Sequence, residues 1–400
     1  MFSDLSVFGM AVVFVALNGL TMLAWAAAQG YKMKPTAFAF LVGAIGNLVS
    51  GSVTPVSGQS SILTVSHFMK NVNERVAALL IAVVAMFILG ITGSVTTIRN
   101  WAGDPVIFGM MAGVGLMVAG ISIDMFRQNK RTATISFVSA IAAWVFFLGN
   151  PNALVYVIAI SVTLSTIDYA LIQGKRVDLL QMAKDAGYEG DMEQNENPKF
   201  WTKEYWADFK IIKPKFTFGA IYFSLAFITL TIGTNIAFGS ITAGMGPRCE
   251  CCEALMYPQD MDHLTVINSL ADIPSVIFGG APVGAIISAT TNTAWPVVAG
   301  VVMMLLCMVL LMLGLMTKAV KYVPVQAIAG FLFIIGFFST FVPQLRSVFL
   351  INGSDPSNQD IVQAAAAMSI TALTKNPFLG LAAGIIIRYL GGSLFMFLQV

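Results

Sequence analysis

Apolar residues run along this chain in blocks long enough to cross a bilayer, and the polar punctuation between them is short. A membrane-spanning helix needs roughly 20 predominantly apolar residues. Blocks of that kind fall at 7–29, 37–53, 54–68, 75–97, 105–126, 132–148 and 151–172. After a polar stretch a second set falls at 216–245, 263–278, 282–293, 294–316, 322–341, 358–374 and 377–397. The pattern predicts an all-α integral membrane protein with 14 transmembrane segments in two sets of seven, 1–172 and 216–400, joined by a polar linker at 173–215. Segments three and ten are too short and too polar for full lipid-facing helices. The third holds Thr54, Pro55, Ser57, Gly58, Gln59, Ser60 and Ser61; the tenth holds Gly279, Gly280, Pro282, Gly284, Ser288, Thr290, Thr291 and Asn292. Irregular polar backbone at membrane depth is tolerated only where protein or a water-filled cavity satisfies it. Pro55 and Pro282, which lack the N–H a continuous helix needs, are expected to mark the two breaks.

The halves correspond in sequence. Phe14, Leu17, Thr21, Leu23, Ala24 and Trp25 of the first segment recur 213 residues later as Phe227, Leu230, Thr234, Ile236, Ala237 and Phe238 of the eighth. Thr54–Gly58 of the third is echoed by Ala281–Ala285 of the tenth, and Asn150-Pro151 before the seventh by Asn376-Pro377 before the fourteenth. Three echoes in the same order at equivalent segments predict an internal repeat. With seven segments per half the repeat is inverted, so each half sits upside down relative to the other. Inverted repeats with paired discontinuous segments are a device of alternating-access transporters, which favours a transporter over a channel.

Composition removes the alternatives. The chain is 57% hydrophobic and 10% charged, with a mean hydropathy of +0.81, whereas soluble domains carry about 25% charged residues. The formal charge of +2 suggests no nucleic-acid partner. Met1–Asp4 offers no basic stretch before the first apolar run, so the first segment is expected to be permanent and not a cleaved leader. Two histidines, His67 and His263, and the lack of any phosphate-binding loop or nucleophile elbow argue against an enzyme. No cofactor and no metal site are expected. Cys249, Cys251 and Cys252 cluster too tightly for zinc-ligand spacing; incidental thiols and a metal or redox role both stay open.

Thr231-Ile232-Gly233-Thr234 in the eighth segment, Phe278-Gly279-Gly280-Ala281-Pro282 before the tenth and Ala271-Asp272 in the ninth resemble the nucleobase–cation symporter family of uracil, xanthine and purine permeases. The wider fold class also holds sulfate, benzoate and bicarbonate transporters. The resemblance implies a core domain (segments 1–4 and 8–11) beside a gate domain (segments 5–7 and 12–14). Substrate would lie between facing half-helices three and ten, and homodimers would be common. Ser60-Ser61 matches the family's third segment. The two carboxylates that bind the base in that family are replaced here by Leu230 and Ser288, so the likeness carries the fold further than the substrate.

Two half-helix N-termini meeting at a cavity would present unpaired N–H groups and partial positive charge. With no acid beside them, such a site favours an anion or an oxyanion edge. The candidate substrate-binding residues are Asn18, Thr21, Ser57, Gln59, Ser60, Ser61, Thr231, Thr234, Asn235, Ser288, Thr290 and Asn292. Asp272, the deepest ionisable group, either holds a coupling proton or sodium ion or caps the break before segment ten. The expected function is secondary active transport of a small polar or anionic metabolite across the cytoplasmic membrane, the alternative a proton- or sodium-coupled nucleobase permease. Counting Lys and Arg in alternate short loops gives ten against four, which by the positive-inside rule places both termini outside, whereas the resemblance to nucleobase permeases implies cytoplasmic termini.

Overall fold

The computed structural model describes residues 2–27, 29–58, 69–176, 203–206, 209–245, 260–315, 318, 322–350 and 357–398. Helices dominate: α1 Phe2–Ala27, α2 Met33–Ser50, α3 Val72–Ile91, α4 Ser94–Gln128, α5 Lys130–Phe146 and α6 Ala153–Ile167 in the first half. The second half holds α7 Phe218–Met245, α8 Met261–Ile277, α9 Pro296–Met312, α10 Ala329–Phe333, α11 Val342–Phe349, α12 Asn358–Thr374 and α13 Pro377–Leu398. A π-helical stretch, Ile334–Phe341, joins α10 to α11 in one rod. Among the described residues six helical segments are long and apolar enough to cross a membrane. Outward faces of the helices expose Val49, Val84, Val138, Ile221, Leu225 and Ile386, as contact with lipid requires. The chain is a multi-pass integral membrane protein.

The repeat is legible in the packing. In one group α2 lies on α9 as α8 lies on α3, α1 lies on α9 as α7 lies on α3, and α2 meets α8 on the axis between the halves. In the other, α4 lies on α12 as the rod of α10 lies on α5, and α12 meets α13 as α5 meets α6. These two groups are the core and the gate. Glycines set the close approaches in the gate. A Cβ on Gly109 would fall 2.2 Å from the Ala364 carbonyl oxygen, and one on Gly330 would fall 2.1 Å from that of Ser136. The two contacts are equivalent by the repeat, and only small residues let membrane helices touch backbone to backbone.

Both breaks in the core fall where proline predicted. Helix α2 ends in left-handed Gly51 and α8 in left-handed Gly279; after each turn the chain runs extended through Pro55 or Pro282 into a two-residue strand. The strands, β1 Val56–Ser57 and β2 Gly284–Ala285, pair antiparallel with Val56 opposite Ala285 and Ser57 opposite Gly284. Aligning Thr54–Gly58 with Ala281–Ala285 makes Ser57 and Gly284 equivalent, so the pseudo-twofold axis passes through that pair. One expectation is corrected here. The tenth segment is no half-helix: beyond β2 it makes only a four-residue 3-10 turn, Ala289–Asn292, because Ser288 caps it at one end and α9 begins at Pro296. Helix-dipole focusing from that side is correspondingly small. Residues 59–68, including Gln59, Ser60, Ser61 and His67, lie outside the described residues, as does the cysteine cluster at 249–252.

Ion pairs tie polar loops to the helices: Lys215 pairs with Glu74 at 3.1 Å, Arg131 with buried Asp168 at 2.9 Å, and Lys375 with Asp124 at 3.1 Å. The described end of the polar linker is held by backbone bonds, with Ile212 N–H donating to the Ile277 carbonyl and Lys215 N–H to that of Asn73.

Candidate functional site

The broken crossings leave a cavity of about 70 Å³ where core meets gate. The core contributes Asn18, Gly19 and Met22 from α1, Ser57 and Gly58 from the first crossing, Phe238 from α7, and Ile286 and Ile287 beyond β2. The gate contributes Val118 and Ile121 from α4 and Phe331, Leu332 and Ile335 from the rod. Ile335 sits in the π-helical stretch, an irregularity that frequently marks a functional position. The strand pairing delivers Ser57 to this place: its side chain is buried, and its Oγ has no hydrogen-bond partner among the described residues. A buried hydroxyl without a partner is costly, and a bound ligand relieves that cost. Among the described residues no formal charge lines the cavity.

Of the candidates read from sequence, Asn18 and Ser57 line this cavity. Thr21 lies on α1, but its side chain falls outside the described set. The other described candidates go elsewhere. Thr234 Oγ1 donates back to the Thr231 carbonyl at 3.2 Å, and Asn235 bonds Thr265 and Asn268 between α7 and α8. Ser288 and Thr290 share a hydroxyl–hydroxyl bond of 2.8 Å and cap the 3-10 turn. Asn292 Nδ2 donates to the Pro151 carbonyl at 2.7 Å, tying the second crossing of the core to the gate. Thr231 lines a second, smaller cavity together with Asp272. Asp272 Oδ1 accepts the Val283 N–H at 2.7 Å, so the capping role weighed for it is present in the structure. Sequence reading missed the apolar lining from the gate, because nothing in Val118, Ile121, Phe331, Leu332 or Ile335 distinguishes them from lipid-facing residues before α4 and the rod are packed against the crossings.

Two packing groups related by a pseudo-twofold, each half giving the core one broken crossing, with a cavity at the core–gate boundary, define the inverted-repeat transporter fold of seven plus seven segments. Solved structures agree. The transmembrane domain of a cyanobacterium bicarbonate transporter, BicA, superposes with a TM-score of 0.52 at 14% sequence identity, covering 96% of this chain and 98% of that one. SLC26A9 superposes with a TM-score of 0.50 at 13% identity, covering 93% of this chain and 64% of that one. At such identities the likeness shows the fold. No protein-family model matches the sequence, and no curated protein matches it either. The narrower likeness to nucleobase permeases gains no support from these neighbours.

Proposed function

We propose that this protein is a secondary active transporter that carries a small anion, or a small polar metabolite with an oxyanion edge, across the cytoplasmic membrane. The core would move against the gate to expose the site to each side in turn. The observation that carries this reading is the cavity built jointly by core and gate around Ser57 and Asn18. A site shared by two bodies opens on one side or the other when they slide, and the Asn292–Pro151 tether would break in that motion. The described lining holds no carboxylate to repel an anion, and its polar groups come from the first crossing and α1. The fold neighbours include a protein described as a bicarbonate transporter, which supports an anion as cargo. Asp272 would hold the coupling proton or sodium ion, the halves would be 1–172 and 216–400 around the linker 173–215, and the protein would work as a homodimer.

A second reading has one observation in its favour. Phe238 and Phe331 both line the cavity, and aromatic faces suit a planar base. A proton- or sodium-coupled nucleobase permease is therefore the alternative. Purified protein in liposomes, assayed for uptake of labelled bicarbonate, sulfate, small carboxylates and nucleobases, separates the two. Saturable accumulation of an anion is the expected result. Accumulation of nucleobases alone would replace the first reading with the second, and non-saturable flux would make the protein a channel.

A further inference from the structure

The second, smaller cavity lies wholly inside the core, away from the gate. It is lined by Leu79, Ala82, Val83 and Met86 of α3, Phe227 and Thr231 of α7, Asn268, Ser269 and Asp272 of α8, and Pro282 of the second crossing. Its open volume is about 20 Å³, and a site needs roughly 10–15 Å³ to hold one water-sized particle. It is therefore large enough for a single water-sized particle and too small for a polyatomic substrate.

The polarity of the site follows from a chain of hydrogen bonds with a determined direction. Thr265 Oγ1 donates to the Met261 carbonyl at 2.7 Å, so it accepts from Asn235 Nδ2 at 3.0 Å. Asn235 Oδ1 must then accept, and Asn268 Nδ2 donates to it at 2.7 Å. That sequence orients the Asn268 amide with its oxygen away from the network, since the orientation of an amide is set by its partners. Asn268 is 2% exposed, and its Oδ1 has no partner among the described residues. Ser269 spends its proton on the Thr265 carbonyl at 2.8 Å, leaving its Oγ with lone pairs alone. Asp272 is 8% exposed; its Oδ1 accepts from Val283, and among the described residues no cationic side chain lines the cavity.

We infer that this cavity is a monovalent-cation site, with Asp272, the Asn268 amide oxygen, Ser269 Oγ and Thr231 Oγ1 as its oxygen donors. A buried carboxylate without a paired cation is strongly unfavourable, and several convergent oxygens of which one is anionic match a singly charged hard cation such as sodium. No cluster of three or more His, Cys, Asp or Glu exists among the described residues, which disfavours a divalent or transition metal. The donors belong to the second half alone. At the equivalent positions of α2, 227 residues earlier, stand Leu41, Val42 and Ile45. An ion here would neutralise Asp272 while that residue holds the Val283 N–H, one residue before the strand that pairs with Ser57. Ion occupancy would thereby brace the crossing that carries the substrate cavity. This deepens the coupled-transporter reading and rests on it for its role, though not for binding itself.

The test is thermal unfolding of the purified full chain in detergent, titrated with NaCl at constant ionic strength made up with choline chloride, and checked by equilibrium binding of labelled sodium. Wild type should gain stability saturably with sodium and not with choline. Asp272→Asn, which keeps an acceptor for Val283, should lose the sodium response, and Thr231→Val should weaken it about tenfold. A wild-type protein that binds no labelled sodium overturns the proposal without any variant being needed. A stabilisation that follows pH in choline alone and disappears in Asp272→Asn would also overturn it, making the site a proton site. Sodium binding with no uptake of any solute in liposomes would leave the ion site standing and sink the transporter reading. Uptake indifferent to sodium together with absent binding would do the reverse.

Discussion

The two crossings at the centre of the core share one backbone design and carry different chemistry. In each, a helix ends at a left-handed glycine, and a side chain from that helix then holds the carbonyl just before the proline. Asn47 Nδ2 donates to the Thr54 carbonyl at 2.7 Å, and Ser275 Oγ donates to the Ala281 carbonyl at 2.8 Å. The next amide differs. Val56 N–H donates to the thioether of Met304, at 3.4 Å, whereas Val283 N–H is held by the carboxylate of Asp272. At the axis itself Ser57 faces Gly284, so the first half brings a hydroxyl to the cavity where the second has no side chain at the equivalent position. Duplication accounts for the shared frame; on the proposed reading the divergence would give substrate contact to the first crossing and charge to the second.

The sharpest way to break this division is to move charge across the axis. Ser57→Glu places a negative charge in the cavity lined by Asn18 and Phe331. Against an anionic substrate in a poorly screened site the repulsion is on the order of a few kcal/mol, or about a hundredfold or more in apparent affinity. Ser57→Gln, of the same size and uncharged, separates that repulsion from crowding. Uptake that survives Ser57→Glu as well as it survives Ser57→Gln would sink the anion reading and move the nucleobase permease into its place.

The shared frame is tested by removing its braces. Ser275→Ala leaves the buried Ala281 carbonyl without its side-chain donor, at a cost of about 1–3 kcal/mol, read as a fall in the unfolding temperature in detergent. Asn47→Leu should cost less, because Ser52 Oγ stands 3.5 Å from the same Thr54 carbonyl and can take over. If Asn47→Leu proves the more damaging of the two, the crossings are not braced equivalently.

The smallest effect is expected at the amide of Val56. Met304→Leu removes only a weak sulfur acceptor and conserves volume, which usually costs less than about 1.5 kcal/mol; sodium response and transport should both persist. Loss of the sodium response in Met304→Leu would show that both crossings, and not the second alone, serve the ion.

Length of the apolar blocks placed the long membrane helices, and the prolines and small polar residues placed both breaks, because each is a local property: a helix needs its own run of apolar residues and its own N–H groups. The internal echoes likewise predicted the inverted repeat, and Asn18 and Ser57 were legible as polar groups beside a break. What packing alone decided is which polar groups meet. Thr234, Asn235, Ser288 and Thr290 look in sequence like the residues that line the cavity, yet hydrogen bonds within and between helices consume them, a common fate of hydroxyls and amides inside a membrane. Whether the tenth segment would coil or extend was also undecided locally. Gly284 and Ala285 are drawn into pairing with Val56 and Ser57 across the axis, and an unpaired strand at that depth would leave its N–H and C=O groups with neither protein nor water to satisfy them. The apolar gate lining and the oxygen-bearing cavity at Asp272 exist only once helices distant in the chain are brought together, because a cavity belongs to the space between helices and no single segment encodes it.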